Sequence, residues 1–271
     1  MAQVEVVIKG LHKRFPVIKG FRDILLHPRK REYIVALDGI NLRIGNACCF
    51  CLLGPNGSGK TTLMKILGEL VLPDRGEVLL NGCDILREKK SRRQIGFAVN
   101  DERSFYWRLS GRENLAFFAR LNGIPPAEVS ERVQQVLKLT NLSYAASQRF
   151  NTYSSGMRQL LSFARILLRD ASLILVDEPT RGLDPTAADC VRRFLRIELV
   201  ERQGKSVLWT THDLGEAAEF GHELAIINKG RIRYQGKIRE RFGNTYSSLR
   251  QIYLDSIGDN TSGSGVQPTY E

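Results

Sequence analysis

The 271-residue chain has no apolar run near the ~18 residues that a membrane-crossing helix needs, so none is expected. Its opening, Met1-Ala2-Gln3-Val4-Glu5, shows no signal-peptide pattern and reads straight into a strand. The chain is therefore expected to stay in the cytosol unless a partner carries it to a membrane. Cysteine is scarce: Cys48, Cys49, Cys51, Cys83 and Cys190 are all there is. Cys48 and Cys51 make a C-x-x-C, but inside an apolar run and without a second pair, which favours core packing over metal or redox use. Acidic residues are also short, 29 against 40 basic, for a net charge of +11 and a pI of about 9.6. That surplus admits nucleotide, nucleic acid or an anionic membrane surface as partner, and does not choose among them. No internal repeat is visible. What remains, 42% hydrophobic and 25% charged, is an ordinary globular composition with ample length for a core.

The most informative stretch is Gly54-Pro55-Asn56-Gly57-Ser58-Gly59-Lys60-Thr61-Thr62, which fits G-x-x-x-x-G-K-[ST], the loop that cradles nucleotide phosphates. An apolar run, Cys48–Leu53, leads in like a buried strand, and Thr61–Leu67 leads out as a helix. The glycines let backbone N–H groups turn toward an anion, and the helix N-terminus adds a positive dipole end. In this motif Lys60 reaches the β- and γ-phosphates and the Thr61 hydroxyl ligates Mg2+.

Around it the chain reads as α/β. Val4–Lys9 is an opening strand, Leu11–Phe15 follows, and a basic insertion covers about 16–32, including Arg29, Lys30 and Arg31. Ile34–Leu37 and Asn41–Ile44 read as two short strands joined by a turn at Asp38-Gly39. Glu77–Leu80 followed by Asn81-Gly82 predicts a strand and hairpin turn, and Gln94–Val99 another strand. Ser110-Gly111-Arg112-Glu113 is a capping box opening a helix to about Leu121. A second helix starts at Pro126, with Val129, Val133, Val136 and Leu137 on one face. This helical block, about 104–168, reads as a subdomain inserted into the α/β core. Leu173–Val176 is a central strand covered on both faces. A helix (about 186–202), a strand (Ser206–Trp209), a helix (Leu214–Phe220) and a hairpin closed at Lys229-Gly230 complete a unit of about 1–245. A short C-terminal helix and a loosely ordered tail occupy 246–271.

Val176-Asp177-Glu178-Pro179 ends the buried strand with two carboxylates. In a phosphate-loop enzyme an acid at the C-terminal end of a parallel strand reaches the Mg2+, a role Asp177 fits. Glu178, next along the pleat, can orient or deprotonate the attacking water. His212, just past the strand ending in Trp209, emerges on the same sheet edge. It suits either a polar cap or a hydrogen bond to the γ-phosphate with orientation of Glu178. Tyr153-Ser154-Ser155-Gly156-Met157 precedes an apolar helix and is, by itself, a plain helix cap or an anion site.

Phosphate loop, helical block, Ser154-Ser155-Gly156, Leu175-Val176-Asp177-Glu178-Pro179, Gly182-Leu183-Asp184 and Thr211-His212 together, in that order, resemble the nucleotide-binding subunit of ATP-binding cassette (ABC) proteins. The resemblance implies a phosphate-loop NTPase core with a mostly parallel sheet, an N-terminal antiparallel β subdomain and an inserted α-helical subdomain. It further implies an ATPase that forms a head-to-tail dimer around two Mg2+–ATP. Ser154, Ser155 and Gly156 would face the partner's ATP, and Asp184 would lie in the loop crossing the interface. Catalysis falls to Glu178, His212 and Lys60, and Mg2+ to Thr61, Asp177 and Asn100. Asn100 stands where the family usually has glutamine. Either Phe15 or Tyr33 takes the aromatic place that stacks on adenine. The signature type, the insertion and Asp101–Trp107 resemble ATPases of bacterial exporters for polysaccharides, lipid-linked glycans or hydrophobic drugs. The implied partner is then a permease on a separate chain at the cytoplasmic face of the membrane, with Arg29, Lys30 and Arg31 against permease or anionic lipid, or simply solvated.

A rival reading is a soluble ABC ATPase on nucleic acid or ribosomes. A single cassette and the absence of sustained heptads between Gly54 and Ser154 disfavour it, and no nucleic acid is expected as partner. A regulatory module that binds but does not hydrolyse ATP is disfavoured by the presence of both Glu178 and His212.

Overall fold

The computed structural model describes residues 5–17, 32–88, 94–98, 104–238 and 246–258. Asn100, the residues Arg29, Lys30 and Arg31 of the basic insertion, and the tail beyond 258 lie outside them.

Two sheets share one core. The first is antiparallel, in the order β2 (Tyr33–Ile44), β1 (Val6–Pro16), β4 (Arg75–Leu80), β5 (Cys83–Asp84). The second has six strands in the order β10 (Arg231–Lys237), β9 (Glu223–Asn228), β3 (Cys49–Leu53), β8 (Ser206–Thr211), β7 (Leu173–Asp177), β6 (Ile95–Ala98). It is parallel except for β10 on β9. β3 and β8 are buried along their whole length and β7 up to its final Asp177, as a parallel sheet covered on both faces requires. Helix α1 (Lys60–Leu67) inserts Leu63, Met64, Ile66 and Leu67 into a core shared with Val6, Ile8, Leu37, Ile40, Phe50 and Leu52 of the two sheets. Alternation along β3 sends Phe50 and Leu52 to this face and Cys51 and Leu53 to the other, against Ala217, Leu224 and Leu249. Cys48 and Cys51, three positions apart, therefore bury their thiols in different core clusters. They cannot share a metal or a disulfide; burial pushes the Cys48 thiol up, and a hydrogen bond with Cys49 together with burial does the same to Cys51.

Local chemistry explains the tight turns. Asn81 (φ 53) and Gly82 (φ 79) close β4 on β5, and Lys229 (φ 47) and Gly230 (φ 73) close β9 on β10, both with the paired left-handed residues of a two-residue hairpin. The expected turn at Asp38-Gly39 is not a turn. β2 runs through it as one strand, and β1 likewise continues from Val6 to Pro16. The pairing Ile8↔Leu42, Leu11↔Ile40, Lys13↔Leu37 absorbs the positive φ of Gly39 as a bulge, which Asn41 staples by accepting from the Gly10 N–H (2.9 Å).

Between β6 and β7, the described residues form three α-helices, α2 (Gly111–Leu121), α3 (Pro126–Leu139) and α4 (Ser155–Leu167). α2 opens on a complete capping box. Ser110 Oγ accepts from the Glu113 N–H (3.2 Å), and Glu113 Oε2 accepts from the Ser110 N–H (2.7 Å). After β7, α5 (Pro185–Arg193) widens into a π-helical stretch over Phe194–Arg202. α6 (Leu214–Phe220) and α7 (Tyr246–Gly258) then pack on each other beside β9. The strand expected to end at Trp209 extends through Thr210 and Thr211.

Candidate active site

β3 ends at Leu53 and the loop Gly54–Gly59 turns directly into α1. Gly59 holds φ 110, and a Cβ there would come within 2.6 Å of the Ala36 carbonyl oxygen, so only glycine lets the loop lie this close to β2. No side chain caps α1, which leaves its first N–H groups free for an anion. The buried Lys60 ammonium folds back to donate to the carbonyls of Gly54 (2.6 Å) and Pro55 (3.1 Å). Burial lowers its pKa from the usual lysine range, and the carboxylates of Glu178 and Asp177 pull it back up.

The parallel pairing of β7 with β8 sets Asp177 opposite Thr210. The Thr210 hydroxyl donates to Asp177 Oδ1 (2.5 Å), and the Thr61 hydroxyl donates to Asp177 Oδ2 (3.1 Å). Thr61 Oγ1 and Asp177 Oδ2 thus form a pair of hard oxygen donors at the mouth of the phosphate loop, the chemistry that Mg2+ takes. Glu178 follows with φ 45, a left-handed conformation that swings it off the strand line. Its N–H donates to the Thr210 hydroxyl oxygen (3.0 Å). Glu178 Oε1 lies 3.2 Å from Nδ1 of His212, and Oε2 accepts from Arg181 Nη1 at 3.2 Å. A cavity of about 510 Å3 is lined by Asn56–Thr62, Asp177, Glu178 and Arg181. Lys60, Thr61, Asp177 and Glu178 are therefore brought to this one cavity, with His212 held at its edge through Glu178.

The structure does not bring Ser154, Ser155 and Gly156 there. Ser154 caps α4, accepting from the Met157 N–H (3.3 Å), while Ser155 is exposed and Gly156 is pressed against α5. None of the three lines the phosphate cavity. Asp184 caps α5, accepting from the Ala187 N–H (2.9 Å). Phe15 and Tyr33 sit in the paired ends of β1 and β2, Phe15 under the Lys13 ammonium and Tyr33 under the Arg14 guanidinium. Alternation places the two rings on opposite faces of that ribbon.

Residues that motif reading missed hold this geometry. Besides Thr210 and Arg181, Glu216 on α6 is partly buried and accepts from three separate stretches of chain at once. Its donors are Thr180 Oγ1 (2.6 Å), Thr211 Oγ1 (2.9 Å) and Arg192 Nη1 (3.2 Å). The sequence signal for the threonines is a pair of hydroxyls ending an otherwise apolar strand. For Glu216, a polar residue on a short helix, there was none.

A family model described as ABC transporter matches residues 37–181. The Nod factor export ATP-binding protein I of Cupriavidus metallidurans is 36% identical over 228 residues, 82% of this chain and 73% of that protein. The sulfate/thiosulfate import ATP-binding protein CysA of Mycobacterium bovis is 32% identical over 234 residues, 86% of this chain and 66% of that protein. The dimeric post-hydrolysis structure of the ATP-binding cassette MJ0796 bound to ADP and Pi superposes with a TM-score of 0.70 at 28% identity, covering 86% of this chain and 99% of that one.

Proposed function

This chain belongs to the ABC transporter family and is an ATP-binding ATPase of it, and from that premise we propose that two copies close head to tail around two ATP and drive a permease carried on a separate chain. The observation that carries the reading is the division of the site. Lys60, Thr61, Asp177, Glu178 and His212 converge at one sheet edge, while Ser154 and Gly156 do not line that cavity. A second copy supplies what the first lacks. The dimeric MJ0796 cassette, bound to ADP and Pi, supports this arrangement.

Within one site the loop amides and Lys60 hold the β- and γ-phosphates, with Lys60 giving up its bonds to Gly54 and Pro55. Thr61 and Asp177 would hold Mg2+, which would supply charge neutralisation for the phosphates. Asp177 is itself fixed by Thr210, so its second oxygen keeps a set direction. Glu178, restrained by His212, accepts a proton from the attacking water, and His212 orients that carboxylate and reaches toward the γ-phosphate.

No helix among the described residues is long and apolar enough to cross a membrane, which suits a subunit attached peripherally at the cytoplasmic face of a bacterial membrane. For direction we read export of a glycan, lipid-linked or hydrophobic substrate. The likeness to a Nod factor export protein supports this, and the likeness to a sulfate importer makes it the part to test. Purified Glu178→Gln should bind ATP, trap a dimer on size exclusion and lose turnover. Turnover at the wild-type rate refutes Glu178 as base. Direction is read from substrate uptake into inside-out vesicles that carry this chain together with its permease.

A further inference from the structure

Both oxygens of the Glu178 carboxylate are occupied, Oε1 by His212 and Oε2 by Arg181 at 3.2 Å each. Each contact takes one of the carboxylate's roughly four lone-pair positions, and the Arg181 guanidinium competes with water for those on Oε2. The two partners differ in origin. His212 directly follows β8, the strand paired with β7, while Arg181 lies three residues along from Glu178, in the turn that its left-handed backbone opens. Both partners are exposed, Arg181 at 75% and His212 at 62%, while the Glu178 side chain between them is only 15% exposed. Both line the phosphate cavity, with Lys60 and Lys65 the other cations in its wall.

We propose that Arg181 is a nucleotide-responsive positioning residue, which pairs with Glu178 when no ATP is bound and moves its guanidinium to the terminal phosphate when ATP binds. An exposed ion pair with one carboxylate is a weak contact, readily exchanged. A guanidinium facing the phosphate oxygens of ATP makes stronger, charge-assisted and bidentate bonds. The exchange makes and breaks only ion pairs. It frees Oε2 to face the attacking water while His212 keeps hold of Oε1, so the base becomes available as ATP arrives. The inference rests on Glu178 being the base, and deepens that reading by giving the base an off state.

The test uses the full chain and its Arg181→Ala, Arg181→Lys and Glu178→Gln variants, singly and combined. ATP and ADP affinities are measured by fluorescence titration, and stability by thermal unfolding. With Arg181 three-quarters exposed, its loss should leave the melting curve in place. Losing one charge-assisted contact should weaken ATP about tenfold while changing ADP by less than about threefold, and lysine should restore part of the difference. Because Arg181 cannot serve Glu178 and phosphate together, the two sites should also couple. Glu178→Gln should raise ATP affinity more with Arg181 present than with alanine there, by about threefold or more. An unchanged ATP-to-ADP ratio in Arg181→Ala, or strict additivity in the cycle, overturns the exchange and leaves an ordinary surface pair. Turnover surviving in Glu178→Gln would instead overturn the base assignment, which separates the two failures.

Discussion

Glu216→Ala is the perturbation that the structure makes most consequential outside the phosphate loop. The Glu216 and Arg192 side chains are only 11% and 19% exposed, and the carboxylate also receives the Thr180 and Thr211 hydroxyls. Removing one partner of a largely buried ion pair costs about 3–5 kcal/mol, because the other charge stays buried without it. In a chain of this length that corresponds to a Tm lowered by roughly 5–9 °C. Activity should fall for a separate reason. Thr180 lies two residues past Glu178 and Thr211 directly precedes His212, so Glu216 ties together the two loops that carry the proposed base and its orienting histidine. Slack of about 1 Å there would lower kcat on the order of 100-fold. KM should hold, since Lys60 and the loop amides are untouched. The isosteric Glu216→Gln should lose less stability and still show the kcat effect, and in a His212→Ala background it should add little. Thermal unfolding and steady-state ATPase assays read both quantities. A Glu216→Gln enzyme with wild-type kcat, or effects fully additive with His212→Ala, would refute the tie.

Lys60→Ala should weaken ATP binding by about ten- to a hundredfold, the worth of charged hydrogen bonds to phosphate. Because burial holds the Lys60 ammonium below the usual lysine range, wild-type affinity should fall as pH rises through that lowered value, while Lys60→Ala stays flat. Parallel pH profiles would count against the role. Gly156→Ala places a Cβ 2.9 Å from that of Ala187 and must push α4 from α5, at about 1–3 kcal/mol. It should abolish ATP-dependent dimers on size exclusion while single-subunit nucleotide binding persists, and intact dimers would show that Gly156 does not face the partner. The bonds from the Ser110 backbone and hydroxyl hold the Glu113 carboxyl below the usual glutamate range. That capping box therefore adds stability at neutral pH and loses it as pH falls from the ordinary glutamate range through the lowered value. Urea unfolding of Glu113→Gln should lack this acid step, and a pH-independent gap from wild type would argue against it.

Much of this protein is decided by neighbours in sequence. The phosphate loop, the capping box at Ser110–Glu113 and the hairpins at Asn81-Gly82 and Lys229-Gly230 each depend on backbone chemistry within a few residues, and were legible for that reason. So was the buried character of β3, β7 and β8, because a strand covered on both faces has no polar side to show. The bulge at Gly39 was not legible, since whether a positive φ makes a turn or a bulge depends on the partner strand's register. Nor were the bonds that Thr210, Arg181 and Glu216 make around the site. Thr61 meets Asp177 across 116 positions only because the sheet order places β8 between β3 and β7. Thr210, Arg181 and Glu216 acquire their parts from that same order. Local sequence sets which groups can bind phosphate or carry a proton. Strand order, a property of long-range pairing, sets which of them meet, and it leaves Ser154 and Gly156 outside the cavity of their own chain.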